Sequence, residues 1–281
     1  MQRQKSFQPE DVSLYLVATP IGNLSEMTPR AISVLTQVDL IAAEDTRVTR
    51  KLLAAFDIHT PLVSHHKHAE KASAAKIIAS LQEGKSVALV SDAGYPLISD
   101  PGSYLVNAVL EKGFPVIPIS GSSALLSALV ASGLSTSRFL FLGFVDPKVL
   151  EKELLRVLTF TETLILYEAP HRIEKTVLKC LKILGNRKVC LAREITKKFE
   201  EFYRGTLMEL AGELSGIKGE MVLVIEGASE RLAPTITQQQ ILASVNTYIS
   251  AGMSTKAALK KASEELGISR NEAYRRYHEL C

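Results

Sequence analysis

The chain has 281 residues, of which 46% are hydrophobic and 22% charged, with a formal net charge of +3. That composition supplies more than one hydrophobic core, and its charge balance neither demands nor excludes a nucleic-acid partner, so any basic surface must be local. No apolar run approaches the roughly 20 residues that cross a bilayer, and the polar opening "MQRQKSFQPED" lacks the character of a signal peptide, so a cytoplasmic protein is expected.

Short apolar runs alternate with helical patterns along most of the chain. Strands are predicted at 14–19 (LYLVAT), 39–44 (DLIAAE), 86–92 (SVALVSD), 115–119 (PVIPI), 139–143 (FLFLG), 163–168 (TLILYE), 188–192 (KVCLA) and 220–227 (EMVLVIEG). Between the first two, "TPRAISVLTQV" places Thr28 as N-cap and Pro29 at the first helical position; "AEKASAAKIIASLQEG" closes on Gly84 as a C-cap. The alternation predicts an α/β protein with its ligand loops at the carboxyl ends of the strands. Breaks at "SGLSTS" and "GASERLAPTITQQQ" divide the chain into an α/β domain over 11–134, a second over 135–230 and a helical tail over 231–281. Cys180, Cys190 and Cys281 show no paired spacing, which predicts neither a disulfide framework nor a zinc site. The "HHKH" segment lacks nearby partners for a metal, so none is expected.

Four loops share one character: "VATPIGN", "AEDTR", "SDAGYPLISDPG" and "ISGSSA" each follow a strand. Gly22, Gly94 and Gly121 let a ligand approach the main chain, while Pro20, Pro96 and Pro101 stiffen the path. Ser122 and Ser123 open an apolar helix whose first N–H groups can meet an acceptor. One such loop is ordinary turn chemistry; four after successive strands predict a shared, pre-formed cleft. Neither GxGxxG nor GxxxxGK[ST] occurs, which leaves a standard dinucleotide fold and a P-loop nucleotidase unsupported. Asp100, in "SDPG", is read as the cap of a helix beginning near Pro101.

The ordered set "VATPIGNL", "AEDTR", "SDAGYPLISDPG", "GSSALLSAL", "FLGF", "YEAPHR", "AREITKKFEE" and "GEMVLVIEG" resembles the tetrapyrrole methylase superfamily of S-adenosylmethionine enzymes. Within it the resemblance is to the branch that methylates a cytidine ribose 2′-hydroxyl in 16S ribosomal RNA. It runs colinearly from about Leu14 to Gly227, and departs where Ser120 replaces a customary proline and "HKHAE" replaces "HEHNE". The resemblance implies two α/β domains of tetrapyrrole methylase type, S-adenosyl-L-methionine in the cleft between them, and a homodimer. It places the cofactor on Pro20, Gly22, Asp92, Gly94, Tyr95, Ser123 and Ala124, with Tyr167 and Ala192 from the second domain.

A ribose hydroxyl is a poor nucleophile, so a base is sought among Glu44, Asp45, Glu168, Glu194 and the pair His66 and His68; the sequence singles out none. Cations suited to RNA phosphates are Arg47, Arg50 and Lys51, then His171 and Arg172, then Arg193, Lys197 and Lys198. In the tail, "STKAALKKASEELGISRNEAYRRYHEL" has the form of a helix-turn-helix, with Ser269 as N-cap and Arg270, Arg275 and Arg276 on its second helix. Other functions stay open from the sequence: methylation of a small tetrapyrrole or of a protein, and a DNA-binding regulator with the α/β body as ligand sensor.

Overall fold

A computed structural model describes residues 4, 6, 12–66, 70–229, 238–266, 273–275 and 277. The described residues fall into two compact units, Met1–Ala228 and Ser229–Cys281. The first unit holds two five-stranded sheets.

The first sheet is parallel throughout, in the order β3-β2-β4-β1-β5. Its strands are β1 (Leu14–Val17), β2 (Leu40–Ala43), β3 (Leu62–Ser64), β4 (Val87–Val90) and β5 (Val116–Ile119). Strand side chains alternate between faces, so each face builds its own core. Val17, Ala43, Ala88 and Val90 pack with Ala31 and Leu35 of α1 (Pro29–Gln37) and Leu53 of α2 (Thr46–Ala55). Leu14, Ala42, Val87 and Leu89 pack on the other face with Ile77 and Leu81 of α3 (Glu70–Gln82) and Leu105 and Val109 of α4 (Ser103–Glu111). Thr28 caps α1 through its hydroxyl, which accepts from Ala31 N–H, and Pro29 opens the helix as the sequence predicts.

The second sheet is mixed, in the order β6-β7-β10-β8-β9. Its strands are β6 (Phe139–Phe144), β7 (Thr163–Glu168), β8 (Lys188–Arg193), β9 (Glu201–Thr206) and β10 (Met221–Ile225). One face packs on α6 (Leu150–Arg156), α7 (Ile173–Leu184) and α8 (Leu207–Glu213). The other face receives Ala128 and Leu129 of α5 (Ala124–Ala131), together with Ile21 from the loop after β1. α5 thereby ties the two sheets together.

Two strands were not predicted. β3 has only three residues, and β9, "EFYRGT", carries charges and a glycine that read as loop; it is an edge strand, where such residues are tolerated. In the second unit, Ile241 and Val245 of α9 (Gln238–Ser250) pack with Ala258, Leu259 and Ala262 of α10 (Thr255–Leu266) and with Ala273. The third tail helix, with Ser269, Arg270 and Arg276, lies outside the described residues apart from 273–275 and 277. Among the described residues no helix is long and apolar enough to cross a membrane, and no group of three or more metal-binding side chains occurs.

Candidate active site

The loops after β1, β4 and β5 meet the second sheet around one cavity of about 330 Å³. From the first sheet's loops it takes Ile21, Gly94, Tyr95, Asp100, Ser123 and Ala124. From the second sheet and its loops it takes Phe144, Tyr167, Ile195 and Val222. The volume lies within the ~300–1,000 Å³ typical of small-molecule sites.

The loops are locked before any ligand arrives. Thr19 and Gly94 exchange backbone hydrogen bonds of 2.9 and 3.0 Å, so the β1 and β4 loops move as one piece. Gly94 holds φ +76°, a conformation that favours glycine. The Tyr95 hydroxyl accepts from Gly121 N–H at 3.2 Å, which fastens the β5 loop to the same piece. Ser123 caps α5, and the next free N–H, that of Leu125, donates to the Tyr167 hydroxyl at 3.2 Å. Strain collects here too: Leu97 and Ser99 in the β4 loop, and Glu194 and Thr196 on either side of Ile195, all have positive φ. Non-glycine residues are uncommon in that region and cluster at ligand sites.

Of the residues assigned to the cofactor from sequence, Gly94, Tyr95, Ser123, Ala124 and Tyr167 line the cavity. Pro20 is buried just before the lining residue Ile21. Gly22, at φ +148°, sits where a β-carbon would overlap the Lys197 side chain, so it serves the junction between the loops of the two sheets. Asp92 is exposed and accepts from Asp45 N–H at 3.1 Å. Ala192 is fully buried, paired across the sheet with the lining residue Val222.

The carboxylates divide sharply. Glu168 lines the cavity, yet its oxygens are taken by Arg172, Ala169 N–H and the Thr176 hydroxyl at 2.6–2.8 Å. Glu194 accepts from Glu220 N–H and from Lys197 Nζ, both at 2.9 Å, and these bonds pull its carboxyl below the usual range. Asp45 caps α2 and is clasped by Arg47, which holds it well below the usual range. Glu44 stands outside the cavity lining; burial, and then Asp92, push its carboxyl up. His66 follows β3 on the surface, and His68 lies outside the described residues.

Asp100 behaves differently from the role its sequence suggested. The helix after it begins at Ser103 with Gly102 as N-cap and no side-chain cap, and the Gly102 N–H donates to Glu70 Oε1 at 3.0 Å. Asp100 does not cap that helix, because Pro101 and the positive φ of Gly102 turn the chain away first. It lines the cavity instead, where burial, then the charges of Glu44 and Asp92, push its carboxyl up to about 6, partly offset by the Ser91 hydroxyl. Reading "SDPG" as the start of a helix concealed it.

The cations are similarly sorted. Arg172 is bound to Glu168, Arg193 to Glu201 and the Lys218 carbonyl, and Lys197 to Glu194 and Glu220. Arg47 is paired with Asp45 but highly exposed; Arg50, Lys51, Lys198 and the tail's Arg275 are also exposed. Arg270 and Arg276 lie outside the described residues.

Residues 13–211 match the family described as Tetrapyrrole (Corrin/Porphyrin) Methylases. Curated relatives cover almost the whole chain. Ribosomal RNA small subunit methyltransferase I of Bacillus subtilis (strain 168) is 45% identical over 99% of this chain and 99% of its own. The protein of that name from Synechocystis sp. is 45% identical over 95% of this chain and 98% of its own. Among solved structures, uroporphyrin-III-C-methyltransferase from Thermus thermophilus is 22% identical with a TM-score of 0.58, covering 76% of this chain and 94% of its own. A diphthine synthase, at 15% identity, has a TM-score of 0.58 over 76% of this chain and 90% of its own. At such identities these two speak for the fold. On the match of residues 13–211 and the near-full-length relatives, the chain belongs to the tetrapyrrole methylase family.

Proposed function

We propose that this chain transfers a methyl group from S-adenosyl-L-methionine to the ribose 2′-hydroxyl of a cytidine in 16S ribosomal RNA. The observation that carries the proposal is the 45% identity to ribosomal RNA small subunit methyltransferase I over 99% of both chains, tail included.

The cavity's chemistry fits the donor. Its apolar walls, Ile21, Ala124, Ile195, Met221 and Val222, suit a flat adenosine, and the locked loops present backbone groups without further ordering cost. Asp100 gives a carboxylate for a cationic ligand, and the ring of Tyr167 adds a polarisable face. When bound, the donor supplies an electrophilic methyl group on a sulfonium.

The rest is positioning and proton transfer by the protein. A hydroxyl brought to the cavity needs a base with a free lone pair: Glu168 has both oxygens bonded, and Glu194 lies outside the cavity lining with its Oε1 held by Lys197 and Glu220 N–H. Of the other carboxylates lining the cavity, Glu220 is paired with Lys197, which leaves Asp100 as the better placed to take that proton, and its elevated pKa, about 6, suits a base working near neutral pH. Exposed Arg47 (paired with Asp45), Arg50 and Lys51 on α2, Lys198, and Arg275 in the tail are the cations placed to meet RNA phosphates; Arg172, Arg193 and Lys197 act first as structural partners of carboxylates. Deleting residues 229–281 is expected to weaken retention on small ribosomal subunits while donor binding persists.

In this reading the enzyme is a cytoplasmic homodimer. Leu126 and Val130, 47% and 72% exposed on α5 beside the cavity, are apolar surface suited to a partner copy, and sedimentation equilibrium tests the oligomeric state. The function itself is tested with methyl-labelled donor and unmodified small subunits. Label in a 2′-O-methylated nucleoside is expected; label only in a tetrapyrrole or a protein would overturn the assignment.

A further inference from the structure

Phe144 ends β6 at the rim of the cavity, and it is 58% exposed. Along β6 the side chains alternate: Leu140 and Leu142 pack into the core under α6 and α7, whereas Phe141 packs on the opposite face with Tyr167. Strict alternation would send Phe144 to the side of Leu140 and Leu142. It does not go there. The pairing of β6 with β7 slips between Phe141 and Gly143, leaving Leu142 as the extra residue of a β-bulge, and Phe144 falls opposite Tyr167. Its ring contacts Tyr167 edge-on, with centroids 5.3 Å apart, just as Phe141 does at 4.9 Å.

The bulge is built for this. Gly143 holds φ +63°, and a β-carbon there would lie 3.3 Å from Ser99 Oγ of the strained β4 loop. The chain thus adds a residue, uses a glycine and brings an edge strand against the cofactor loop. In doing so it takes a large aromatic side chain out of a core and sets it over the cavity mouth. Re-aiming a side chain next to an active site is a recognised use of bulges.

From this geometry we infer that Phe144 is the stacking platform for the base of the acceptor nucleotide, a positioning and specificity residue for RNA. The inference rests on the RNA ribose reading above. A ribose hydroxyl reaches a cavity of this size only if its nucleotide leaves the stack of its neighbours. An exposed aromatic ring replaces that lost stacking, as in other single-strand RNA recognition, and is worth about 5- to 150-fold in affinity per base. The donor's adenine is the competing occupant. It is the less suitable one, because an adenosine group suits the enclosed apolar wall of Ala124, Met221 and Val222, whereas a nucleotide of a large RNA reaches the cavity from solvent across the exposed rim.

The test compares Phe144→Tyr and Phe144→Leu with the unaltered enzyme. Leucine keeps apolar bulk but has no flat π-face; tyrosine keeps the face. S-adenosylmethionine affinity, by calorimetry, is expected to stay within about threefold for both variants. The KM for unmodified small subunits should rise about 5- to 150-fold in Phe144→Leu and stay within about threefold in Phe144→Tyr. Short-wave ultraviolet irradiation of the enzyme–subunit complex should join the peptide containing Phe144 to the RNA, and the leucine variant should lose that adduct. Subunit kinetics for Phe144→Leu equal to the parent's, absence of the adduct in the parent, or a donor-affinity loss that accounts for the whole defect would each overturn the inference. A parent enzyme inert on small subunits would remove the functional reading itself, a different result from an active parent indifferent to the leucine change.

Discussion

The two sheets of the first unit present carboxylates to neighbouring surfaces in opposite ways. On the second sheet, Glu168 ends β7 with both oxygens bonded, by Arg172, Ala169 N–H and Thr176, and Glu194 follows β8 with its Oε1 held by Lys197 and Glu220 N–H. On the first sheet, burial and the nearby charge of the exposed Asp92 both raise the carboxyls of Glu44 and Asp100. The same residue type is a brace where a cation and N–H donors meet it, and a reactive group where burial and like charges do. Local partners, more than position at a strand end, decide which carboxylate is free to do chemistry.

That contrast can be broken from either side. The largest effect is expected for Asp100→Asn, which removes the proposed base: kcat on small subunits should fall about 10²- to 10⁴-fold. The parent's rate should rise with pH through about 6 as Asp100 loses its proton, and the residual rate of the variant should lose that inflection. A variant with parental kcat would assign Asp100 to binding alone. Next comes Arg172→Met, which strands the buried Glu168 without its cation and should cost about 3–5 kcal/mol of stability in urea titrations. A cost under ~1 kcal/mol would show that the neighbouring donors suffice.

Asp100→Asn should also affect stability, with the opposite sign. The native carboxyl is raised, so the fold favours its neutral form: no penalty exists below the usual carboxylate range, and the penalty is complete once pH exceeds about 6. The variant is therefore expected to gain on the order of 1–2 kcal/mol at pH 8, discounted for its open side, and almost nothing at pH 4. Equal effects at both pH values would contradict the burial argument. The smallest change is expected for Lys197→Met, about 1 kcal/mol or less, because Glu194 keeps its bond to Glu220 N–H and both partners are partly solvated.

Much of this organisation was visible in the sequence, and the exceptions share a cause. Eight strands, the Thr28–Pro29 helix start and the loops bearing Gly94, Tyr95 and Ser123 follow from periodicity and turn chemistry, which are local. β3 and β9 escaped because three residues carry no period, and because an edge strand needs no apolar alternation. Asp100 was read as a cap because the sequence cannot show that Glu70, 32 residues away, reaches Gly102 first. Arg172, Arg193 and Lys197 read as open cations because their carboxylate partners are set by tertiary packing as well as by spacing. Phe144 carried no signal of its own: "FLGF" alternates like any strand, and only the slipped register against β7 reveals where its ring points.

The central claim is that the cavity between the β4 and β5 loops and the second sheet holds the methyl donor. Calorimetric titration of S-adenosylmethionine and S-adenosylhomocysteine into the parent chain and into Ala124→Trp, whose indole would fill the cavity beside Ser123, tests it most directly. One bound molecule per chain in the parent and none in Ala124→Trp is the predicted result. No heat from a folded parent, or undiminished binding by the tryptophan variant, would contradict it.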